Sequence, residues 1–350
     1  MTMRYRTLGG TGIEVSVHCL GAMMFGAVGN PDRDECVRII HAALDQGVNF
    51  VDTADMYSAG ESEEIVGRAL RGRRDQVVLA TKVHGRMGGD VNQQGNSRRW
   101  IVRACEDSLR RLGTDHIDLY QIHRPDPAAD IDETLGALTD LIRAGKISYA
   151  GSSTFPPAQI VEAQWTAQRR GRERFVCEQP PYSILVRGVE AEVLPACQQF
   201  GMGVIPWSPL AGGWLTGRYR AGGDLPVSRR AERIPQRYDM ALPGNRAKLE
   251  ASEKLAALAD EAGLSMIHLA LGFVLAHPAV TSAIIGPRTM THLESQLGAA
   301  DVVLTPDILD KVDEIVPPGT NPNPPDRGYE PPALTDSALR RRPASVTAEH

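Results

Sequence analysis

The sequence predicts an α/β protein: a (β/α)8 TIM barrel with an N-terminal β-hairpin and a long loop after strand 7. Three observations carry this. Eight short apolar runs alternate with segments of helical periodicity. No GxGxxG follows the first run, so an open dinucleotide-binding sheet has nothing to rest on. Polar side chains also gather at the C-terminal ends of successive apolar runs, where barrel enzymes keep their chemistry.

In chain order, residues 3–16 alternate apolar and polar around Gly9, Gly10 and Gly12, as a short hairpin does. CLGAMMFG is a brief strand ending in small residues. Residues 32–47 carry Val37, Ile40 and Leu44 at helical spacing behind an acidic start, with Gly47 as the stop. A buried strand over 48–52 then runs through a polar loop into a helix over 61–70. DQVVLATKV is the next strand and 97–112 the next helix; HIDLYQIHRPD is a strand ending at His123, with Pro125 opposing helical continuation. The pattern goes on with a helix over 131–144, the strand KISYAGSSTF, a helix over 156–171, the strand FVCEQPPYS, a helix over 189–200 and the strand GVIPWSPLAGG. Residues 210–243 break the rhythm, rich in Gly, Arg and Pro, and loops of that length are usually functional. Helices over 245–262 and 265–276, the strand AVTSAIIGP and helices over 290–299 and 306–315 complete the barrel, assigned to residues 1–316. Residues 317–350 read as a proline-rich loop and then a disordered tail.

Composition narrows the function. The chain has 350 residues, 42% hydrophobic and 23% charged, enough for a large core. A formal charge of -5 offers no basic footprint, so no nucleic-acid partner is expected. No apolar run nears the roughly 20 residues of a membrane helix, and MTMRYRTLGG lacks a signal-peptide core, so no membrane partner is expected. Cys19, Cys36, Cys105, Cys177 and Cys197 show no metal-ligand spacing and fit buried thiols in a reducing cytoplasm, with no metal site. Oligomeric state is left open, a homo-oligomer being compatible.

Four polar groups fall on three adjacent strand ends: Asp52 and Tyr57 after strand 2, Lys82 ending strand 3 and His123 ending strand 4. Neighbouring barrel strands lie about 5 Å apart, so the four converge across large sequence separations. A phenol near pKa 10 is a weak acid at neutral pH. An ammonium beside it favours phenolate and lowers that value, and a carboxylate can hold the ammonium. An imidazole can orient a carbonyl. Such a set suits hydride delivery to a carbonyl with a nicotinamide alongside.

DTADMYSAGESEEIVGRAL, with Lys82 in ATKV and His123 in YQIHRPD, resembles the aldo-keto reductase superfamily over residues 5–316. All four tetrad positions match. HRPD and WSPLAGGWLTG look like its bacterial and channel β-subunit-like branch. The resemblance implies a metal-free barrel enzyme, NADPH preferred and NADH allowed, reducing an aldehyde or ketone with Tyr57 as general acid. It also implies cofactor contacts. Ser152, Ser153 and Gln179 fall where the nicotinamide carboxamide is held, and Trp207 where an aromatic ring stacks near the nicotinamide. Gly21, Met23 and Asp52 line the same end. Ser208, Pro209, Leu210, Ala211, Gly212 and Gly213 supply pyrophosphate amides, with Thr216 and Arg218 nearby. Gly286, Arg288, His292, Ser295 and Gln296 fall where the adenosine 2'-phosphate and adenine bind; Arg288 can pair bidentately with that phosphate. His292 replaces a commoner Gln or Arg, Ser295 a Glu and Gln296 an Asn.

The substrate pocket is assigned to Met23, Met24, Phe25, Tyr57, His123, Trp207 and the irregular segment 210–243, an apolar mouth taking a small-molecule carbonyl. The arginines at 229, 230, 233 and 237 are expected mostly in solvent. A second reading stays open: a cofactor-binding regulatory or redox-sensing subunit with little turnover, like the channel β-subunits of this fold. Those typically lack the tetrad histidine, which is present here as His123.

Overall fold

Strands β1 (Tyr5–Thr7) and β2 (Glu14–Ser16) form the expected hairpin, pairing Tyr5 with Ser16 and Thr7 with Glu14. The computed structural model describes residues 3–220, 229–336 and 339, with backbone alone at Arg229 and Arg230. Expectations for 221–228, for the side chains at 229 and 230 and for the disordered tail beyond 336 therefore fall outside the described residues.

Eight parallel strands follow: β3 (His18–Gly21), β4 (Phe50–Asp52), β5 (Val78–Val83), β6 (Ile117–Ile122), β7 (Ile147–Ser153), β8 (Phe175–Gln179), β9 (Gly203–Val204) and β10 (Ala283–Ile285). They pair in sequence order, with β10 beside β3. Thr281 donates to the Val204 carbonyl at 2.8 Å and Ile284 to that of Pro206 at 3.0 Å, which joins the last two strands and closes the barrel. Strand β9 is shorter than the sequence suggests because Pro206 has no N–H to give to the ladder.

The helices between the strands are α1 (Arg33–Asp45), α2 (Glu61–Ala69), α3 (Arg98–Leu112), α4 (Ile131–Arg143), α5 (Pro157–Arg170) and α6 (Val193–Gln199). After β9 come α7 (Arg229–Arg233), α8 (Pro243–Glu261) and α9 (Met266–Ala276); α10 (Met290–Leu297), α11 (Pro306–Ile315) and a short α12 (Pro332–Thr335) end the series. Asp32, Ser97, Asp130, Ser265, Thr289 and Thr305 cap their helices by accepting from the first-turn amides. Helix α8 starts two residues before the periodicity because Pro243 suits a first-turn position. None of the described helices is long and apolar enough to cross a membrane by itself; α8 and α9 pass that test only as a pair bent by 95°.

Side-chain alternation along the strands divides the core into two layers. One set points inward: Cys19, Phe50, Ala80, Leu119, Cys177 and Ile284, with Leu8 and Val15 of the hairpin closing the N-terminal end. The other set, including Leu20, Val51, Leu79, Tyr120 and Ala150, packs under the helices. The five cysteines are free and buried. Stepping two residues on from the inward apolar floor gives Asp52 from Phe50, Lys82 from Ala80, Gln121 from Leu119 and Gln179 from Cys177. The pleat itself lifts polar groups into the C-terminal mouth.

Residues 317–336 lie against the barrel. Arg187 donates to the Thr320 carbonyl, Asn323 to Asn245 at 2.8 Å, and Lys248 to Asp326 at 2.8 Å. Gly328 meets Trp207 so closely that a Cβ there would lie 2.7 Å from the indole ring. Where an irregular segment was expected, the described residues of 210–243 carry 3-10 turns at Ala211–Thr216 and Pro235–Arg237 as well as α7, anchored by Trp214 stacked on Tyr219 (4.2 Å) and on Tyr238 (6.0 Å).

Candidate active site

Lys82 is fully buried, and its ammonium has three acceptors for three hydrogens: Asp52 Oδ2 at 2.6 Å, the Thr53 carbonyl at 2.7 Å and the Tyr57 hydroxyl at 3.3 Å. Asp52 Oδ1 accepts from Gln179 Nε2 at 2.9 Å and from Gln121 Nε2 at 3.1 Å. The carboxylate is held on both oxygens, so the ammonium cannot swing away from the phenol. The His123 ring stands edge-on to Tyr57 with centroids 5.7 Å apart, and its Nδ1 is buried without a protein partner. The structure thus brings Asp52, Tyr57, Lys82 and His123 together from the ends of β4, β5 and β6 and the loop after β4.

Electrostatics differ from the expectation at Tyr57. Burial pushes its phenol up and outweighs the downward pull of Lys82, so the group holds its proton more firmly than a free tyrosine. Burial alone would lower Lys82, but Asp52 and Tyr57 reverse that and raise it, keeping it an ammonium. Burial, then Lys82 and Arg124, press His123 well below the usual imidazole value, which leaves a neutral ring at physiological pH. Sequence reasoning foresaw the pull of the ammonium, not the larger cost of charging a phenol inside this mouth.

The residues expected beside a nicotinamide divide. Ser153 points inward and donates to the Gln179 carbonyl at 2.9 Å. Ser152 faces the other way, as its neighbour on a pleated strand must, and its hydroxyl is bound to Glu178 in the layer under the helices. It does not join the site. Gln179 does, but its Nε2 is directed at Asp52 and Gln121, so only its Oε1 is free of that network. Trp207 is half-buried at the mouth, with the guanidinium carbons of Arg124 and Arg237 each 5.9 Å from its ring centroid. Arg237 also pairs with Asp326 at 3.4 Å, so it is not simply in solvent.

Loop geometry corrects other assignments. Phe25 is fully buried among the residues packed under the helices, because Met24 and Gly26 bond back to Asn30 and turn the ring inward. It does not line the mouth, whereas Met23 is exposed and Met24 half-buried there. At Gly21 a Cβ would lie 2.6 Å from Ile284, so close packing of β3 on β10 already requires glycine. In the loop expected to hold a pyrophosphate, the amides of Ala211 and Gly213 turn inward to the Ser208 and Leu210 carbonyls and are not offered outward. Ser208, Leu210 and Gly212 are partly exposed there and Pro209 is buried. Thr216 donates to the Gly213 carbonyl and accepts from Arg218.

Where an adenosine was expected to bind, Arg288 and Gly286 are exposed, and a Cβ at Gly286 would meet nothing within 4 Å. Burial and then Arg288 and Arg218 lower His292, which places both guanidinium charges around that ring. Ser295 donates to the His292 carbonyl, and the buried Oε1 of Gln296 has no protein partner.

Gln121, Thr53, Arg124 and Asp55 were missed. Gln121 had a signal, lying two residues before His123 on the same strand face. Asp55 is fully buried with no side-chain partner, and burial followed by Glu63 pushes it up to about 8 against the smaller pull of the Met56 amide. Among the described residues no group of three His, Cys, Asp or Glu side chains is arranged to hold a metal ion.

The sequence profile described as "Aldo/keto reductase family" matches residues 19–317. An uncharacterized oxidoreductase, YrpG, of Bacillus subtilis is 41% identical over 90% of this chain and 96% of its own. A probable voltage-gated potassium channel subunit beta of Arabidopsis thaliana is 36% identical over 90% of this chain and 97% of its own. Versiconal hemiacetal acetate reductase of Aspergillus parasiticus is 32% identical over 91% and 99%.

Proposed function

Since the chain belongs to the aldo/keto reductase family, we propose that it is an NADPH-dependent reductase of aldehydes or ketones with Tyr57 as general acid. The observation that carries this is the single ammonium shared between Asp52 and Tyr57, with a neutral imidazole edge-on to the same phenol. A bound nicotinamide would supply the hydride. The protein's own part is to hold the carbonyl and deliver a proton. A phenol that keeps its proton at neutral pH is in the right state to donate one, and Lys82 at 3.3 Å stabilises the phenolate left behind. His123, uncharged, can orient the carbonyl oxygen without competing as an acid.

The residues present fit a dinucleotide. The open space at Gly286 and the orphaned Gln296 oxygen suit an adenosine, and Arg288 with Arg218 suits a 2'-phosphate, which favours NADPH over NADH. Ser153, Gln179 and Trp207 would hold the nicotinamide end. The test is loss of nicotinamide absorbance with a panel of aldehydes and ketones, 4-nitrobenzaldehyde among them, run in parallel with NADPH and NADH. Turnover faster with NADPH is expected; absence of turnover across the panel would overturn the reading.

The channel β-subunit relatives favour a second reading, a regulatory subunit with little turnover. The complete tetrad, His123 included, counts against it. Stoichiometric recovery of a membrane partner together with negligible turnover would favour it instead.

A further inference from the structure

We propose that Arg124 forms a carboxylate subsite in the substrate pocket, so that the preferred substrates are aldehydes or ketones that carry a carboxylate. This rests on the reductase reading and names its substrate class. Arg124 follows His123 directly, so the backbone that brings the imidazole to the mouth also sets a guanidinium on the wall beside it. Only Nη1 is engaged: it donates to the His123 carbonyl at 2.6 Å, to Thr154 Oγ1 at 3.1 Å and to Ser153 Oγ at 3.5 Å, all neutral acceptors.

Several other partly buried arginines meet a carboxylate: Arg74 meets Asp118 at 2.7 Å, Arg111 meets Glu63 at 2.6 Å and Arg187 meets Asp313 at 2.7 Å. Arg6, without one, spends two nitrogens on the carbonyls of Val280 and Leu275. Arg124 does neither. Among the described residues no carboxylate pairs with it, and its Nε and Nη2 have no protein acceptor. Its contact with the Trp207 face at 5.9 Å is favourable but leaves the charge in place. Arg237, at the same distance from that ring, adds positive potential although Asp326 partly offsets it.

Glu178 acts on this guanidinium through space, but its carboxyl is pushed up to about 7 by burial and is bound by Ser152 and the Phe155 amide. No ion pair forms, so an incoming carboxylate can accept from the two free nitrogens. Tyr57 is near enough that a charge on its oxygen would act on Arg124. A substrate anchored there by its carboxylate therefore has its carbonyl held near the proton donor, and such positioning lowers the barrier to reaction.

The test compares kcat/KM for the three carboxybenzaldehyde isomers with that for the matching nitrobenzaldehydes, in the wild type, Arg124→Gln and Arg124→Lys, with NADPH affinity followed by fluorescence. In the wild type the best carboxylate isomer should exceed its nitro counterpart by about ten-fold or more, the usual scale of a charge-assisted pair. Arg124→Gln should bring that ratio to near one and Arg124→Lys should restore part of it. A wild-type ratio near one, with both classes reduced, would overturn the carboxylate subsite alone. A ratio unchanged in Arg124→Gln, or a loss confined to NADPH affinity, would overturn it in favour of a cofactor role. Failure to reduce either class would overturn the reductase reading and the subsite with it.

Discussion

The two ends of the barrel are built to opposite rules. At the N-terminal end the hairpin drives Leu8 and Val15 into the apolar interior, and Arg6 spends its guanidinium on the carbonyls of Leu275 and Val280. At the C-terminal end Ser58, Ala59, Thr154, Ser208 and Ala211 hold positive φ without being glycine, whereas buried polar atoms lacking a partner occur at both ends, on His123 above and on His18 below. A left-handed non-glycine residue costs about 1–2 kcal/mol, and an unsatisfied buried polar group costs about 1–3 kcal/mol. Apolar packing below offsets polar strain above. That division lets one end carry a dense charge network without unfolding the whole.

Substitutions at the two ends should therefore separate stability from chemistry. The largest effect is expected at Lys82→Met. It leaves Asp52 as an uncompensated buried charge, so chemical denaturation should show a loss of about 3–5 kcal/mol. Turnover should fall by about two to four powers of ten as general acid catalysis is lost. A variant that kept both stability and rate would dissolve the contrast between the ends. Next comes Leu8→Ala at the closed end, which should cost about 2–5 kcal/mol while kcat of the folded enzyme stays close to that of the wild type. A comparable fall in kcat would show that the ends are coupled.

Asp55→Asn should act through pH. Burial, then Glu63, raises its folded pKa to about 8 from the ordinary carboxylate value of 3.8. Between those values the native state binds a proton that the unfolded state has released, so this group's stabilising contribution is full below the lower value and is lost as pH rises through the higher one. The groups around it are Glu63, Arg111, Lys82 and Tyr120. Thermal denaturation should show Asp55→Asn gaining on the wild type as pH climbs from 5 to 8, by up to about 1.4 kcal/mol for each pH unit. A gain independent of pH would remove Asp55 from the account.

Much of this was legible because the pleat has a fixed period. An apolar strand that ends in Asp52, in Lys82 or just before His123 announces a polar group at the mouth, and strand order brings those ends side by side. The same period also set the limits. Ser152 and Ser153 must face opposite ways, and the serine pair alone does not say which faces in. Phe25 depends on how Met24 and Gly26 bond back to Asn30. Arg124 sits beside His123 in the HRPD motif without any sequence signal of its own, and only its three neutral acceptors set it apart. The Tyr57 proton was misjudged because its affinity depends on burial, a property of the closed mouth and not of any motif. Residues 317–336 read as a proline-rich loop, and only the pairings Asn323 with Asn245 and Asp326 with Lys248 show what holds them.

The central claim is that the Tyr57 phenol, held by Lys82, gives its proton to the reduced carbonyl. Tyr57→Phe removes one oxygen and keeps the ring against His123. Single-turnover reduction of a good aldehyde by the variant with saturating NADPH should fall by at least about two powers of ten, with NADPH affinity within a few-fold of the wild type. Turnover within a few-fold of the wild type would contradict the account.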